Sequence, residues 1–335
     1  MVNASDKLKE CLEMKYRHLG RQGIRVSELA LGSWMTDVSD SAKQDLADQS
    51  IKLAYEKGIN YFDCADAYSG GAAERFLGKA LKEFPRQELV LSSKVYFPVG
   101  DGINDRGLSR KHIFESIDRS LKNMQTDYLD LYFCHRFDPE TPLEETLQAL
   151  SDLVDQGKIL YYGVSEWTPV QILEAQLVIQ QRGLHPMSVI QPEYNIFDRY
   201  IENEALDVCE KLGLGVVPFS PLSQGLLTGK YRKGQPIPAG SRATYQDQIQ
   251  AMLTDDNLDK VEALVKMADE LNTDLATFSL AWALRDSRIS SLITGASKPA
   301  QLKNNLKAIE LEIPAEYDQR IDKLFHFKKF HRQIG

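Results

Sequence analysis

Short apolar runs alternate with longer amphipathic segments along most of the chain. Eight runs are rich in β-branched and aromatic residues and have the length of strands buried on both faces. They cover residues 26–32, 59–63, 89–94, 129–133, 159–165, 189–192, 215–220 and 291–294. Between these runs, apolar positions spaced as on one face of a helix predict amphipathic helices. The helical candidates are residues 45–57, 73–83, 110–123, 144–156, 169–181 and 201–212.

The strict alternation of strand and helix predicts the fold class. Successive strands joined through a helix run parallel, with right-handed crossovers. Eight such units, with no linker rich in Pro, Gly or Ser midway, favour a closed (β/α)8 barrel over an open doubly wound sheet. We therefore predict an α/β protein of the TIM-barrel type, with a polar extension at residues 1–13 and a single domain over residues 14–335.

Two segments depart from the simple repeat. Residues 15–26 place Gly20 and Gly23 between apolar positions, which predicts a β-hairpin that plugs the N-terminal end of the barrel. Residues 223–254 are rich in Gly, Pro and Gln and are longer than an ordinary connection. Loops of that length are usually lids or binding loops.

Composition excludes several classes of protein. Hydrophobic residues make up 43% of the chain and charged residues 26%, as in ordinary globular proteins. A net charge of −8 argues against a nucleic-acid partner or an anionic membrane surface. No stretch approaches the ~18 apolar residues of a membrane helix, and the N-terminus has no apolar signal segment. We therefore expect a cytoplasmic protein with no membrane insertion.

Common metal and nucleotide motifs are absent. The four cysteines lie far apart without a C-x-x-C pair, so neither disulfides nor a metal site are predicted. They are Cys11, Cys64, Cys134 and Cys209. No G-x-G-x-x-G follows an early strand, so the sequence does not support a dinucleotide-binding domain of the Rossmann type. The segment GLLTGK, residues 225–230, is one residue too short between its glycines for a phosphate-binding P-loop.

Four polar residues fall at the C-terminal ends of neighbouring predicted strands, where a barrel of this type carries its active site. Asp63 ends the second strand and Tyr68 follows five residues later. Lys94 ends the third strand and His135 lies just past the fourth. Each has an ordinary structural role when taken singly, as a cap, a solvated lysine or a hydrogen-bonded histidine. Their meeting at one rim indicates a catalytic site.

The chemistry of these four residues is coherent. A phenol ionises near pKa ~10, too high for efficient proton donation at neutral pH, and an adjacent ammonium lowers that pKa. Lys94 beside Tyr68 is expected to have this effect, while Asp63 keeps Lys94 charged. His135 is expected to hydrogen-bond a substrate oxygen and orient a carbonyl group. The set predicts a tyrosine acid, Tyr68, with residues that tune it.

With these residues in this order, the chain resembles the aldo-keto reductase family over residues 14–325. The family's Asp, Tyr, Lys and His tetrad matches Asp63, Tyr68, Lys94 and His135 in order and context. Four segments also resemble the potassium channel beta-subunit branch of the family and its bacterial relatives. They are RGLSRKHI (106–113), TPLEETLQAL (141–150), FSPLSQGLLTGKY (219–231) and GASKPAQLKNN (295–305).

The resemblance implies hydride transfer from a nicotinamide cofactor, usually NADPH, to an aldehyde or ketone, with the tyrosine protonating the product oxygen. It implies that Ser165 and Gln191 bind the carboxamide, that Phe219 stacks on the nicotinamide and that residues 220–225 follow the pyrophosphate under the long loop. The implied cofactor-binding set is Ser33, Trp34, Asp63, Ser165, Gln191, Phe219, Ser220, Pro221, Leu222, Gln224, Gly225, Lys230, Arg242, Gly295, Ser297, Lys298, Gln301, Asn304 and Asn305.

The phosphate end of such a cofactor can also be argued from helix chemistry. In GASKPAQ, Ser297 is a candidate N-cap and Pro299 suits the first helical turn, so free backbone N–H groups would face an anion. A plain helix cap is the alternative role for Ser297. Lys230, Arg242 and Lys298 are the cations expected at a 2′-phosphate. Gln301, Asn304 and Asn305 are expected at the adenine.

Two departures from the family pattern bear on function. Many relatives have Asn where this chain has Glu166, which places a carboxylate near the nicotinamide or turns it outward. The channel subunits carry Asn where His135 stands, so His135 favours an enzyme. Trp34, Tyr96 and Trp167 follow strand ends and are candidates for the substrate pocket, with packing at the rim as their alternative role.

Three functions remain open from the sequence. The first is a reductase of a small carbonyl substrate, among simple aldehydes, methylglyoxal-like dicarbonyls and sugar-derived aldehydes. The second is a nucleotide-sensing accessory protein of a channel, which predicts a homotetramer, tight NADPH binding and poor turnover. The third is a barrel that acts on a phosphorylated substrate without redox chemistry, which predicts no nicotinamide binding. Retention of the whole tetrad favours the reductase.

Overall fold

The computed structural model of the chain describes residues 13–34 and 41–329, so nearly all of the predicted extension at residues 1–13 lies outside the described residues. Two short strands, β1 (Tyr16–His18) and β2 (Arg25–Ser27), form an antiparallel hairpin. Eight parallel strands follow. They are β3 (Leu29–Gly32), β4 (Tyr61–Asp63), β5 (Val90–Val95), β6 (Leu129–Cys134), β7 (Ile159–Ser165), β8 (Val189–Gln191), β9 (Gly215–Val216) and β10 (Leu292–Thr294).

The eight parallel strands close on themselves. They follow one another in chain order from β3 to β9, and β10 pairs with β3. On the other side, Ser290 N–H donates to the carbonyl of Val216 at 2.8 Å, and Ile293 N–H donates to the carbonyl of Pro218 at 2.9 Å. No sheet edge is left between β9 and β10, so the prediction of a (β/α)8 barrel is confirmed.

Helices fill the connections between strands. The described helices are α1 (Ser41–Glu56), α2 (Ala72–Leu81), α3 (Arg110–Met124), α4 (Leu143–Asp155), α5 (Pro169–Arg182), α6 (Ala205–Leu212), α7 (Asp247–Met252), α8 (Asp255–Glu270), α9 (Leu275–Leu284), α10 (Pro299–Leu306) and α11 (Ala315–Phe325). The six candidate helices from the sequence correspond to α1 to α6. No described helix is long and apolar enough to cross a membrane.

The N-terminal hairpin plugs the barrel as predicted. Leu19 and Val26 have no exposed surface and join a cluster of side chains from the barrel strands that includes Tyr61. The turn of the hairpin requires a glycine, because Gly20 has a φ of +58° and a Cβ there would lie 2.3 Å from the carbonyl oxygen of Gly213. The bottom of the barrel is therefore sealed, and the opposite end is left for binding.

Several strands are shorter than the sequence pattern suggested, and two of them differ most. Residues 26–32 divide between β2 and β3, with Glu28 between them paired to Arg17 at 2.8 Å. In residues 215–220 only Gly215–Val216 is regular, with an isolated bridge from Phe219 to Glu193. The chain leaves the barrel wall at Ser220, whose φ is +52°.

The long segment at residues 223–254 has an ordered structure of its own. It contains α7 and two 3₁₀ turns, Ser223–Thr228 and Arg242–Thr244. Tyr231 anchors it by accepting a hydrogen bond from Ala243 N–H at 3.2 Å, and Ala243 and Ile249 are fully buried. The segment reaches the opposite rim of the mouth, where the Arg242 guanidinium lies 5.2 Å from the ring centroid of Trp34.

Candidate active site

A cleft of about 1130 Å³ opens at the C-terminal ends of the barrel strands, the end that carries the active site in barrels of this type. Most residues predicted for the site line it, although they come from every part of the chain. The predicted residues on its wall are Trp34, Asp63, Tyr68, His135, Ser165, Gln191, Phe219, Ser220, Pro221, Leu222, Gln224, Gly225, Lys230, Arg242, Gly295, Ser297, Gln301, Asn304 and Asn305.

Two of the predicted wall residues for the substrate do not line the cleft. The ring of Tyr96 packs against Phe97 with ring centroids 5.3 Å apart, and Phe97 faces the cleft in its place. Trp167 is only 4% exposed and packs edge-to-face on Phe137 at 4.9 Å. Both side chains therefore have the rim-packing role that the sequence left as the alternative.

Lys94 lies beneath the floor of the cleft and has no exposed surface. Its Nζ donates to Asp63 Oδ2 at 2.6 Å, to the carbonyl of Cys64 at 2.7 Å and to the Tyr68 hydroxyl at 3.4 Å. All three donors of the ammonium are thus directed at oxygen atoms. The structure brings the predicted acid and its cationic neighbour together.

Asp63 is held from both sides. Its Oδ1 accepts hydrogen bonds from Ser92 Oγ at 2.7 Å and from Gln191 Nε2 at 3.0 Å, while Oδ2 accepts from Lys94. Ser33, another predicted cofactor residue, is buried behind the cleft and donates from Oγ to the carbonyl of Asp63 at 2.9 Å. These bonds fix the carboxylate and, through it, the ammonium.

The pKa values of this cluster correct one expectation. Burial alone lowers the pKa of Lys94, but Asp63 together with Tyr68 and Cys64 outweighs that effect, so the net pKa lies above 10.5 and the ammonium stays charged. Burial raises the pKa of the Tyr68 phenol above its ordinary value of 10.0; Lys94 opposes that effect, and Asp63 adds to it. Lys94 therefore lowers the pKa of the phenol as expected, but it does not set the net direction of the shift, and Tyr68 keeps its proton at neutral pH.

His135 completes the floor of the cleft as a neutral imidazole. Burial, followed by the charges of Lys94 and Arg136, holds its pKa well below 6.5. Its ring lies edge-on to Tyr68, with centroids 5.7 Å apart, and edge-on to Phe97 at 4.8 Å. Its Nδ1 is buried without a hydrogen-bond partner among the described residues. A neutral imidazole carries one N–H donor and one lone pair, so His135 can donate a hydrogen bond without bringing a charge.

Glu166 lies on the wall of the cleft, with its carboxylate held at the rim. Its Oε1 accepts from the backbone N–H of Glu193 at 2.6 Å and from the Tyr200 hydroxyl at 3.0 Å. Its backbone φ is +60°, a region that Asn adopts far more readily than Glu. The backbone thus explains why an asparagine suits this position, and the two hydrogen bonds give the glutamate a separate role in joining two rim loops.

Sequence reasoning missed several charged and aromatic residues of the cleft. Arg136 directly follows His135, and Glu193 lies two residues after Gln191. Residues just past the C-terminal ends of barrel strands face the active site, so including one or two more positions after each strand would have found both. Burial, followed by Asp198 and Glu166, raises the pKa of Glu193 to about 7. The missed residues with polar or aromatic side chains include Phe97, Arg136, Glu193, Thr228, Ser241, Tyr245, Gln248, Asp274 and Thr294.

One part of the cleft wall combines tight backbone turns with a lysine side chain. Ser220, Ser223, Gln224 and Gly225 all have positive φ values, and tight backbone turns of this kind can expose N–H groups to an anion. A Cβ at Gly225 would lie 3.1 Å from Lys230 Nζ, so the glycine leaves space for that ammonium. The N–H groups of Ser223 and Gly225 already donate within the turn, to the carbonyls of Ser220 and Leu222 at 2.9 and 2.8 Å, so the turn brings the Lys230 ammonium to the cleft wall.

The helix expected to face a phosphate begins one residue later than predicted. The N-cap of α10 is Lys298, which makes no side-chain capping bond and does not line the cleft. Ser297 is thus not the cap: its Oγ donates to Gln301 Oε1 at 3.0 Å and its N–H donates to the same oxygen at 2.9 Å. Pro299 occupies the first turn as expected.

The far end of the cleft carries amide side chains. Asn304 Nδ2 donates to both carboxylate oxygens of Asp274 at 3.0 Å, which fixes that amide group. Asn305 is buried and its Nδ2 has no partner among the described residues. Gln224 Oε1 and Ser241 Oγ are likewise buried without a described partner.

These features fit an extended dinucleotide. Buried polar atoms without partners cost free energy, and the cleft carries four of them among the described residues: His135 Nδ1, Gln224 Oε1, Ser241 Oγ and Asn305 Nδ2. A nicotinamide dinucleotide has an amide, phosphates, hydroxyls and a purine that can pair with such atoms. In the part of the chain that is described, no group of three or more acidic, His or Cys side chains is arranged to hold a metal.

Comparison with known proteins agrees with this geometry. The model of the "Aldo/keto reductase family" matches residues 28–325. A "Probable voltage-gated potassium channel subunit beta" of Oryza sativa subsp. japonica is 41% identical over 317 residues, covering 93% of this chain and 95% of the relative. The protein of the same name in Arabidopsis thaliana is 40% identical over 304 residues, covering 89% and 92%. A "Putative voltage-gated potassium channel subunit beta" of Schizosaccharomyces pombe is 37% identical over 323 residues, covering 93% of each. The chain therefore belongs to the aldo/keto reductase family.

Proposed function

We propose that the protein is an NADPH-dependent carbonyl reductase that converts an aldehyde or ketone to an alcohol. An oxidoreductase role follows from membership of the family. The observation that carries the finer proposal is the contact of the buried Lys94 ammonium with Tyr68, beside the neutral His135. These groups are a proton donor, a charge that stabilises its anion and a hydrogen-bond donor, all at one end of a dinucleotide-sized cleft.

The cofactor, when bound, supplies the hydride that reduces the carbonyl carbon. We propose that Ser165 and Gln191 bind its carboxamide, that Phe219 packs on its nicotinamide ring and that residues 220–225 bind its phosphates. Lys230 and Arg242 would bind the 2′-phosphate, which is the group that distinguishes NADPH from NADH. The buried side-chain amide of Asn305 would bind the adenine.

Tyr68 acts as the general acid in this proposal. Its phenol holds a proton at neutral pH and donates it to the substrate oxygen as that oxygen becomes an alkoxide. The phenolate that remains is stabilised by Lys94 Nζ, which lies 3.4 Å away in a buried setting where charges interact strongly. Asp63 keeps the ammonium charged and in place. The raised pKa already includes the effect of Lys94 on the phenolate, so the ammonium reduces the cost of losing the proton, a cost that burial would otherwise make larger.

His135 orients the substrate. A neutral ring beside Tyr68 donates a hydrogen bond to the same carbonyl oxygen and polarises it without competing for the proton. The separation of the two ring centroids, 5.7 Å, leaves both side chains facing one small space. Phe97 closes one side of that space.

The proposal extends to the setting of the protein. Cys64, Cys134 and Cys209 are buried, and burial raises the pKa of Cys209 to about 12. Such thiols are unreactive and suit a reducing compartment, so we propose a cytoplasmic location. We also propose that residues 14–335 form one independently folding domain.

Binding and turnover of NADPH test the function directly. We expect NADPH fluorescence to report tight binding, and its absorbance to fall when small aldehydes are added. Binding with no turnover on any aldehyde would refute the reductase. Absence of binding would refute the cofactor assignment and leave a barrel that acts without redox chemistry.

A second candidate function is a nucleotide-sensing accessory subunit of a channel. The names of the three relatives favour it. It predicts a stable homotetramer that binds NADPH tightly and turns over slowly. Size-exclusion chromatography with light scattering, combined with the turnover assay, separates the two candidates.

A further inference from the structure

Arg136 lies on the wall of the cleft directly beside the predicted catalytic floor. Its Nη1 donates to the carbonyl of His135 at 2.5 Å and approaches Ser165 Oγ at 3.4 Å. Its guanidinium carbon lies 5.6 Å from the ring centroid of Phe97. The side chain is therefore fixed at one nitrogen and half-exposed to the cleft.

The charge of Arg136 has no counter-ion in the described part of the chain. No carboxylate of residues 13–34 or 41–329 lies within 4.0 Å of its nitrogens, and no described hydrogen bond uses its Nε or Nη2. Two other arginines with little exposure are paired, Arg86 with Asp130 at 2.7 Å and Arg199 with Glu202 at 2.9 Å. Arg242, which also lines the cleft, has no ion pair among the described residues either. A guanidinium that faces the cleft with free N–H donors and no ion pair is suited to bind an anion that enters the cleft.

Two acidic residues of the cleft wall, Glu166 and Glu193, accept hydrogen bonds from other groups. Glu166 accepts from Glu193 N–H and from Tyr200, and Glu193 Oε1 accepts from Asn195 Nδ2 at 3.4 Å. Neither forms an ion pair with Arg136. The pKa of Glu193, raised to about 7 by burial and then by Asp198 and Glu166, also leaves that side chain partly uncharged at neutral pH. The charge of Arg136 lowers the pKa of Glu193, so the two side chains interact, but without a direct ion pair among the described residues.

We propose that Arg136 binds a carboxylate of the substrate, so that the preferred substrates are aldehydes or ketones that carry a carboxylate group. A guanidinium has a planar fork of N–H donors that matches a carboxylate, and here the fork lies beside the group that holds the carbonyl oxygen. The rings of Tyr68 and Phe97 line the space between and suit an apolar spacer. This inference rests on the proposed reductase function.

Matched acid and ester substrates test it. The probes are 4-carboxybenzaldehyde with methyl 4-formylbenzoate, and succinic semialdehyde with its methyl ester, each reduced with NADPH. We expect the native protein to prefer each acid to its ester in kcat/KM. Arg136→Gln should lower kcat/KM for the acids by about 10- to 100-fold and leave the esters within about threefold, since it removes a charged hydrogen bond made only to the acid.

Two further variants keep the test decisive. Arg182→Gln removes the same charge from an exposed position at the end of α5 and should change neither series. Arg136→Lys retains the charge without the fork; it should lose acid activity by a smaller factor and carries the test if Arg136→Gln does not fold. Thermal unfolding checks that each variant is native.

The failures are distinguishable. An equal loss on acids and esters would show that Arg136 acts through His135 on the shared carbonyl, which overturns the inference. Unchanged activity on the acids would also overturn it, as would a native preference for the esters. If the native protein binds NADPH but reduces none of the four probes or any other aldehyde, the reductase function itself fails and the inference fails with it.

Discussion

The Nζ atom of Lys94 lies 3.4 Å from the Tyr68 hydroxyl, yet the pKa of that phenol is raised and not lowered. Burial is the larger influence, and the Asp63 carboxylate, 2.6 Å from the same ammonium, offsets part of its positive charge. The resting pair is therefore a protonated phenol beside a charged amine. The ammonium stabilises the phenolate, and without it burial would raise the pKa of the phenol further.

The first prediction concerns this proton. Tyr68→Phe should lower kcat by about 10²- to 10⁴-fold, the usual contribution of general acid catalysis, while the Kd for NADPH changes little. Tyr96→Phe is the matched control, because that ring packs on Phe97 outside the cleft lining. Steady-state kinetics and fluorescence titration give the two quantities. Full turnover in Tyr68→Phe would remove the tyrosine from the mechanism.

The second prediction concerns the stability of the buried ion pair. Lys94→Met leaves the Asp63 carboxylate buried without its cation and should lower the free energy of unfolding by about 3–5 kcal/mol. Lys94→Met combined with Asp63→Asn removes both charges and should be less destabilised than Lys94→Met alone. Urea unfolding of the two single variants and the double variant measures the coupling. Additive losses would mean that the pair does not interact as the geometry indicates.

Cofactor choice provides a third prediction. The Arg242 guanidinium lies over Trp34 at the rim and faces the same end of the cleft as Lys230. Arg242→Ala should weaken NADPH binding by about 10- to 100-fold, the loss expected for a charged hydrogen bond, and leave NADH binding nearly unchanged. Arg232→Ala, outside the cleft lining, is the control. An unchanged ratio of the two dissociation constants would contradict the assignment.

The sequence predicted the barrel because its eight strands are buried on both faces and recur at regular intervals, with a helical segment between most of them. It gave no signal for α9, since every residue from Leu275 to Leu284 is buried and the helix has no polar face to mark its period. Position at the end of a strand was sufficient to select Asp63, Lys94 and His135. These three side chains meet because their strands are parallel neighbours in the sheet, an arrangement that the alternation of strands and helices already implied.

Other features depend on packing that residue order does not encode. The direction of the pKa shift on Tyr68 is set by burial, and the degree of burial beneath a loop cannot be read from the residue itself. Tyr96 and Phe97 are adjacent aromatics after β5, and only the backbone path decides which ring faces the cleft. Arg136 was missed because a charged residue after a strand is usually solvated, and its lack of a described counter-ion is visible only in three dimensions.

The last prediction concerns pH and Glu193. Burial, then Asp198 and Glu166, raise the pKa of Glu193 from 4.5 to about 7 in the folded protein, with Asn195 and Arg136 opposing them. Between these values the folded state holds a proton that the unfolded state has lost, so stability should fall as pH rises from about 4.5 to about 7. After allowance for solvent screening of this partly exposed group, the loss should be about 1–2 kcal/mol.

The variant Glu193→Gln cannot ionise at this position. Over the same pH interval its free energy of unfolding should therefore fall by about 1–2 kcal/mol less than that of the native protein. Asp66, whose pKa burial also raises to about 7, titrates in both proteins and cancels in the comparison. Urea unfolding at several pH values measures the difference, and parallel stability curves for the two proteins would show that Glu193 ionises normally.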